Sequence, residues 1–169
     1  MKFSLHEETS IHVNTSPAIL FEHLDDARRL GGHMETPSWR TLGSAMRYSF
    51  DQHEGREVGS VITLTGQIVG APLYLEEVVR ERLPPGRKSW ETMGQPRLIV
   101  IGGYRMGFDI EPDASGSKLR IFIEYELGGL WPGWLARMLG RWYARWCVGQ
   151  MAKDAQARFA SGASAVGAH

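Results

Sequence analysis

The sequence predicts a single α+β domain, in which a curved antiparallel sheet of about six or seven strands wraps around one long C-terminal helix. Three observations lead to this prediction. Apolar and polar residues alternate with period two in several segments, tight turn sequences separate those segments, and a helical pattern covers residues 134–160. The length of 169 residues suits one domain. We expect that domain to span residues 1–160, and we expect the small, polar residues 161–169 to form a disordered tail.

The first strand is followed by two short helices. Residues 3–13 place apolar side chains on odd positions and mostly polar ones on even positions, which is typical of a half-buried strand. Ser16 can cap a helix that starts at Pro17, because the first helical position needs no backbone N–H partner. A second short helix should occupy residues 25–32, which begin with two aspartates and end with two glycines.

The middle of the chain, residues 45–127, consists of strand patterns separated by turns. The clearest pair is residues 97–111 and 118–127, where large apolar side chains line one face and charged side chains line the other. The turn between them reads Asp-Ala-Ser-Gly at residues 113–116. Consecutive strands joined by tight turns pair antiparallel, so this region predicts the body of the sheet.

The C-terminal helix carries two apolar stripes on nearly opposite sides, with a row of arginines between them. The large-residue stripe comprises Leu135, Met138, Leu139, Trp142 and Trp146; the small-residue stripe comprises Ala144, Cys147, Val148, Met151, Ala155 and Phe159; the arginine row comprises Arg137, Arg141 and Arg145. Small residues allow a helix to lie close on a sheet. The large-residue stripe must then meet the two short helices, a bound ligand, a partner chain or a membrane surface, and the pattern leaves these alternatives open.

Bulk composition limits the function classes. Nineteen basic residues balance nineteen acidic ones, which argues against a nucleic-acid binder that depends on counterion release. Cys147 is the sole cysteine, so no internal disulfide is expected and a reducing compartment is favoured. Residues 1–25 lack the continuous apolar core of a signal peptide, and no apolar run approaches the length of a membrane span. We therefore expect a cytoplasmic protein.

Three segments resemble a known superfamily. They are "IHVNTSPAILFEHLDD" near the start, "PPGRKSWETMGQPRLIVIGGYRMGFDIEPDASGSKLRIFIEYEL" in the later strands, and "MLGRWYARWCVGQMAKDAQARF" in the closing helix. In order and pattern they are similar to the START-like, or Bet v 1-like (SRPBCC), superfamily, and in particular to its small domains of the polyketide cyclase/dehydrase type. The resemblance implies a helix-grip fold with a deep cavity between the sheet and the long helix. Members of the superfamily bind lipids, sterols, quinones, polyketides or plant hormones, and some catalyse cyclisation or dehydration.

The cavity that the resemblance implies should be lined by the apolar faces of the strands and by the large-residue stripe. The candidates for lining it are Phe50, Leu64, Trp90, Tyr104, Met106, Phe108, Ile123, Tyr125, Trp142 and Trp146. The tyrosines and Trp90 are favoured over the aliphatic side chains, because their polar tips need a partner when buried. Glu77 and Arg97 lie near strand faces that the pattern does not orient, and His33 is either a general base at the cavity mouth or an exposed loop histidine.

No short motif in the sequence identifies a catalytic residue, a cofactor or a metal. Cys147 is expected to be an inert buried thiol, and no His-His-carboxylate cluster has convincing spacing. The sequence therefore favours a carrier or sensor of an apolar small molecule. One alternative is a cyclase or dehydrase that uses a cavity Tyr, His or carboxylate. Another is a lipid-transfer protein that touches membranes through Trp131, Trp134 and the arginine row. A homodimer, with the large-residue stripe covered by a partner chain, is a further expectation.

Overall fold

A computed structural model describes residues 3–26, 45–68, 71–94, 96, 98, 100–129 and 131–160. Within these residues the chain forms a seven-stranded antiparallel sheet and two helices. In chain order the elements are β1 (Leu5–Val13), α1 (Pro17–Asp25), β2 (Ala45–Phe50), β3 (Val61–Ile68), β4 (Ala71–Leu83), β5 (Arg87–Thr92), β6 (Ile101–Asp113), β7 (Gly116–Leu127) and α2 (Gly133–Ala160). The predicted fold class, a curved antiparallel sheet with one long C-terminal helix, is confirmed.

Strands β2 to β7 form a meander, and the first strand adds to its β7 edge. Its order is β1-β7-β6-β5-β4-β3-β2, so every consecutive pair from β2 to β7 is adjacent and β1 joins the far edge beside β7. Pro17 starts α1 as the sequence predicted, but Asp25 ends this helix and does not begin another. The rest of the predicted second helix and the predicted tail lie outside the described residues.

The long helix α2 packs on the sheet through its small residues. Its buried positions include Ala136, Gly140, Ala144 and Val148, and its main contacts are with β1 and β7. A Cβ atom at Gly140 would lie 3.1 Å from Leu127 Cδ2, so the missing side chain lets the helix axis approach the sheet closely. The predicted role of the small-residue stripe is confirmed.

The large-residue stripe of α2 behaves differently from the prediction that it is covered. Met138 is 55% exposed and Trp142 is 61% exposed, while Trp146 is half-buried against the ring of Tyr143. Two members of the arginine row, Arg141 and Arg145, form ion pairs with Glu7 of β1 at 3.0 and 2.8 Å. Among the described helices, none is long and apolar enough to cross a membrane.

A buried ion cluster fastens the end of α1 to the sheet. Lys88 is 2% exposed, and its Nζ donates to Asp25 Oδ1 at 2.7 Å and to the Asp25 backbone carbonyl at 2.8 Å. Arg82 Nη2 donates to Asp25 Oδ2 at 2.8 Å. Burial opposes ionisation of Asp25, but the hydrogen bonds from Arg82 and Lys88 outweigh it and lower the pKa of this carboxyl. We call Asp25, Arg82 and Lys88 the α1 clamp.

Candidate functional site

One row of residues crosses the concave face of the sheet and carries a single carboxyl group. Directly paired residues on neighbouring antiparallel strands point to the same face. The row runs Phe50, Ile62, Glu77 and Thr92 from β2 to β5, and on β6 and β7 it continues with Tyr104 and Tyr125. Along β4, Glu77 has the inward-facing Leu75 and Val79 two residues away on either side. The period of the strand therefore places a carboxyl group in an otherwise apolar interior.

Glu77 is buried and held by two neutral donors. Only 7% of the surface of Glu77 is exposed. The hydroxyl of Tyr104 donates to Glu77 Oε1, and Trp90 also contributes a side-chain hydrogen bond to this carboxyl. Burial raises the pKa of Glu77 to about 7, although the hydrogen bonds from Tyr104 and Trp90 act in the opposite direction. The Glu77 carboxyl group therefore changes between its protonated and its ionised form near neutral pH.

Tyr104 is positioned by both its backbone and its ring. The register of β6 against β7 shifts between Ile101 and Tyr104, and regular pairing of β5 with β6 ends one residue further on, at Arg105. At that point the backbone amide of Tyr104 donates a hydrogen bond to the side-chain oxygen Thr92 Oγ1, at 3.1 Å. Burial and the adjacent Glu77 charge raise the pKa of Tyr104 well above its ordinary value. Tyr104 therefore keeps its proton and acts as a hydrogen-bond donor near neutral pH.

The helix α2 adds Tyr143 and Cys147 to the same interior. These residues are one turn apart, and a side-chain hydrogen bond joins them. The Cys147 sulfur and burial raise the pKa of Tyr143, with further contributions from Tyr48 and Glu77. Burial raises the pKa of the Cys147 thiol to about 12, so this cysteine is an unreactive thiol near neutral pH, as expected from the sequence.

Four side chains of the interior beside α2 are less buried than Glu77. Tyr104 packs against both apolar clusters of the domain, the larger one between the helices and β5–β7 and the smaller one on β3 and β4. Yet Tyr48, Tyr104, Tyr143 and Cys147 all keep part of their surface accessible. Glu77 is thus the most buried member of the group of polar and aromatic side chains that it forms with these four.

The ten predicted cavity-lining residues fall into three groups. Leu64, Trp90, Met106, Phe108, Ile123 and Tyr125 are buried; Phe50, Tyr104 and Trp146 are half-buried; Trp142 is mainly exposed on α2. The structure brings two of them, Trp90 and Tyr104, together at Glu77. Contact of any of the ten with a ligand stays a prediction. His33 and Arg97 lie outside the described residues.

Sequence reasoning left Glu77 unassigned and did not single out Thr92, Tyr143 or Tyr48. The reason lies in the sequence of β4, where two glutamates at 76 and 77 precede two valines at 78 and 79. This doubling fits either face of a strand, so alternation alone does not orient Glu77. The pairing of Glu77 with Ile62 and Thr92 would have oriented it, but that register depends on the neighbouring strands.

Solved structures share this architecture, although no family model matches the sequence and no curated protein matches it. The di-domain ARO/CYC StfQ of the steffimycin biosynthetic pathway is similar with a TM-score of 0.70 at 14% identity. That match covers 95% of this chain and 52% of StfQ, so the chain spans about half the length of StfQ.

Two full-length neighbours give the same result. A START superfamily protein from Mycobacterium smegmatis has a TM-score of 0.63 at 13% identity, with 92% of this chain and 97% of that chain covered. Ara h 8.0201 has a TM-score of 0.64 at 14% identity, with 93% and 98% covered. The chain therefore has the helix-grip fold of the START and Bet v 1-like proteins, as its sequence predicted.

Proposed function

We propose that the protein binds an apolar small molecule in the interior between the sheet and α2, as a carrier or a sensor. The observation that carries this proposal is the arrangement of Glu77, Tyr104 and Trp90, a compact polar anchor in an apolar surrounding. Small-molecule sites are typically lined by apolar and aromatic side chains and contain a few precisely placed polar groups. The fold shared with START and Bet v 1-like proteins supports the same role.

The burial of Glu77 supports a functional role over ordinary packing. A carboxyl group that leaves water without a cationic partner destabilises the folded protein. Groups with strongly shifted pKa values cluster at functional sites for this reason. Leucine in place of Glu77 would pack on Leu75 and Val79 without that cost.

Native mass spectrometry of protein purified from its own host tests the proposal. We expect an apolar molecule to copurify and to compete with the dye 8-anilinonaphthalene-1-sulfonate for one site per chain. Tyr104→Ala should weaken dye binding at least tenfold. The matched control Tyr74→Ala changes a tyrosine that is 61% exposed, and it should leave dye binding unchanged. If no molecule copurifies and the two variants bind dye like the unchanged protein, the proposal is wrong.

A second candidate function, an enzyme of the cyclase or dehydrase type, is favoured by the pKa of Glu77. A general acid or base works best when its pKa lies near the working pH, and the pKa of Glu77 is about 7. The Glu77 carboxylate would remove a proton from a carbon next to a carbonyl group, and the C–H electrons would form a C=C bond to the neighbouring carbon as its hydroxyl group departs. Glu77 would return the proton to that hydroxyl group, which leaves as water. Tyr104 would donate a hydrogen bond to the oxygen of the departing hydroxyl group.

Incubation of the copurified molecule with protein, followed by mass spectrometry, separates the two functions. An enzyme should convert its ligand with loss of water, and Glu77→Gln should abolish conversion while binding persists. A carrier should release its ligand chemically unchanged. If the protein without substitutions leaves its ligand chemically intact through many cycles of binding and release, the enzymatic function is contradicted.

We also propose that the exposed part of the large-residue stripe contacts anionic membrane surfaces transiently. Trp134, which precedes the stripe, is 72% exposed, and the stripe residues Met138 and Trp142 follow it at helical spacing on the same side of α2. Tryptophan and arginine both suit the bilayer interface, and Arg137 lies beside this stripe. A second copy of the chain is the alternative occupant of this surface.

Flotation with vesicles of phosphatidylcholine, with and without phosphatidylserine, tests this contact. We expect binding to the anionic vesicles and its loss in a Trp134→Ser, Trp142→Ser double variant. Absence of flotation with anionic vesicles contradicts the membrane contact. A dimer in analytical ultracentrifugation that the double variant abolishes would assign the stripe to a second copy instead.

A further inference from the structure

We infer that the bound molecule carries a positively charged nitrogen, an amine or ammonium group, which docks on the Glu77 carboxylate among the rings of Tyr48, Trp90, Tyr104 and Tyr143. This inference rests on the proposed ligand binding and adds the chemical class of the ligand. The observations behind it are the charge balance of the interior and the neutral hydrogen-bond partners of Glu77.

The charge balance singles out Glu77 among the buried carboxyl groups of the described residues. Asp25 meets Lys88 and Arg82 in the α1 clamp. Glu91 accepts from Arg80 Nε at 2.6 Å and from Arg105 Nη2 at 2.9 Å. Glu77 instead meets the neutral donors Tyr104 and Trp90. A cation supplied by a ligand would give Glu77 the positively charged partner that arginine and lysine side chains give to Asp25 and Glu91.

The carboxyl group favours a cation over a neutral hydroxyl group. Trp90 and Tyr104 contact Glu77 through their N–H and O–H groups, and Tyr48 and Tyr143 lie within electrostatic range of the same group of side chains. Hydrogen bonds in which both partners are ionised are stronger than those between neutral groups. An amine therefore gains a charge-assisted hydrogen bond from the ionised carboxylate, whereas an alcohol gains a weaker one.

The titratable groups facing Glu77 let the inference be tested by pH. They are Tyr48 from β2, Tyr104 from β6, Tyr125 from β7, and Tyr143 and Cys147 from α2, while β3 and β5 contribute the uncharged Ile62, Trp90 and Thr92. The pKa values of Tyr104, Tyr125, Tyr143 and Cys147 are raised, so these groups stay neutral near pH 7. Glu77 is the member of this set that changes charge there.

The sign of the pH effect follows from the charge. A cation binds the ionised carboxylate, so binding lowers the pKa of Glu77 and releases its proton. Between pH 6 and pH 8 the ionised fraction of a group with pKa about 7 rises from about one tenth to about nine tenths. The affinity for an amine that stays protonated in this range should rise about tenfold over the same interval.

Isothermal titration calorimetry with 4-phenylbutylamine and its neutral counterpart 4-phenylbutanol is the deciding experiment. At pH 7 we expect the amine to bind at least tenfold more tightly. Titrations in two buffers that differ in ionisation enthalpy should report release of up to about half a proton per amine bound. Glu77→Gln should lose the preference and the proton release while it still binds the alcohol. Glu76→Gln, the neighbouring residue on the opposite face, should behave like the unchanged protein.

A second variant keeps the experiment decisive if Glu77→Gln does not fold. Tyr104→Phe retains the carboxylate and removes one donor to it, so the amine preference should persist and its pH profile should move to higher pH. Equal binding of the amine and the alcohol, without proton release, would overturn the inference and leave ligand binding intact. Failure of both probes and of the anilinonaphthalene dye to bind would overturn the inference and the proposed function together.

Discussion

The two carboxyl groups buried on the inner side of the sheet, Asp25 and Glu77, are treated in opposite ways. Both are almost inaccessible to solvent. Asp25 receives hydrogen bonds from Lys88 and Arg82, which lower its pKa. Glu77 receives hydrogen bonds from Tyr104 and Trp90, and burial raises its pKa to about 7. The same chemical group is therefore a fixed charge at one position and a titrating group at the other.

This difference separates structural from functional use of a buried charge. The α1 clamp neutralises Asp25 at every physiological pH, so it holds the end of α1 on the sheet whether or not a ligand is present. Glu77 has neutral donors that orient it without cancelling its charge. A group left in that state destabilises the empty protein and is ready to interact with a bound molecule.

The largest expected effect comes from breaking the clamp. Lys88→Met should lower the free energy of unfolding by about 3–5 kcal/mol, because it leaves a buried carboxylate with one of its two cations. Chemical denaturation at pH 7 measures the loss. Combining Lys88→Met with Asp25→Asn should restore part of the stability, because the double variant no longer buries a carboxylate that has lost Lys88. The control Lys118→Met changes an exposed lysine of β7 and should alter stability by less than about 0.5 kcal/mol. Equal stabilities of Lys88→Met and the unchanged protein would show that the clamp contributes nothing.

The next effect has the opposite sign at Glu77. Its pKa is raised on folding, so the folded state binds the extra proton, and the stability of the protein falls as pH rises from about 4.5 through 7. Glu77→Gln should therefore stabilise the protein by about 3 kcal/mol at pH 8 and by less than about 1 kcal/mol at pH 5. Thermal unfolding across this pH range measures the difference.

Asp25→Asn supplies the contrast for that series. Because the pKa of Asp25 is lowered on folding, its contribution is present near neutral pH and is lost as pH falls through its folded pKa. The variant should be destabilised at pH 7 and should approach the unchanged protein in acid. If Asp25→Asn and Glu77→Gln gave the same sign and the same pH dependence, the two carboxyl groups would not differ in the way described.

The smallest effect concerns the donors to Glu77. Tyr104→Phe removes one hydrogen bond to a buried carboxylate and should cost about 1–2 kcal/mol above pH 7. The midpoint of the pH-dependent change in stability should also move upward, because that hydrogen bond lowers the pKa of Glu77. Tyr74→Phe is the matched control: its hydroxyl bonds Glu76 on the exposed face at 2.7 Å, so neither stability nor the midpoint should change. A midpoint that stays in place in Tyr104→Phe would contradict the assigned hydrogen bond.

The sequence by itself determined the elements and their order. Alternation and tight turns predicted the antiparallel sheet, and the small residues of α2 predicted which side of that helix meets the sheet. These features depend on periodicity within a single segment, which local physical chemistry controls. The exposure of Trp142 was not predictable in this way, because it depends on which other elements reach that side of α2.

Only the tertiary structure decided the surroundings of the two carboxyl groups. Asp25 lies 57 residues from Arg82 and 63 from Lys88, and Glu77 lies 27 residues from Tyr104. A register shift between Val79 and Glu81 of β4 pairs Arg82 with Lys88 on the inner face, where strict alternation would have turned Arg82 outward. One irregularity in one strand therefore supplies the second cation of the clamp. Periodicity read from the sequence does not reveal such a shift, because the pairing of strands decides it.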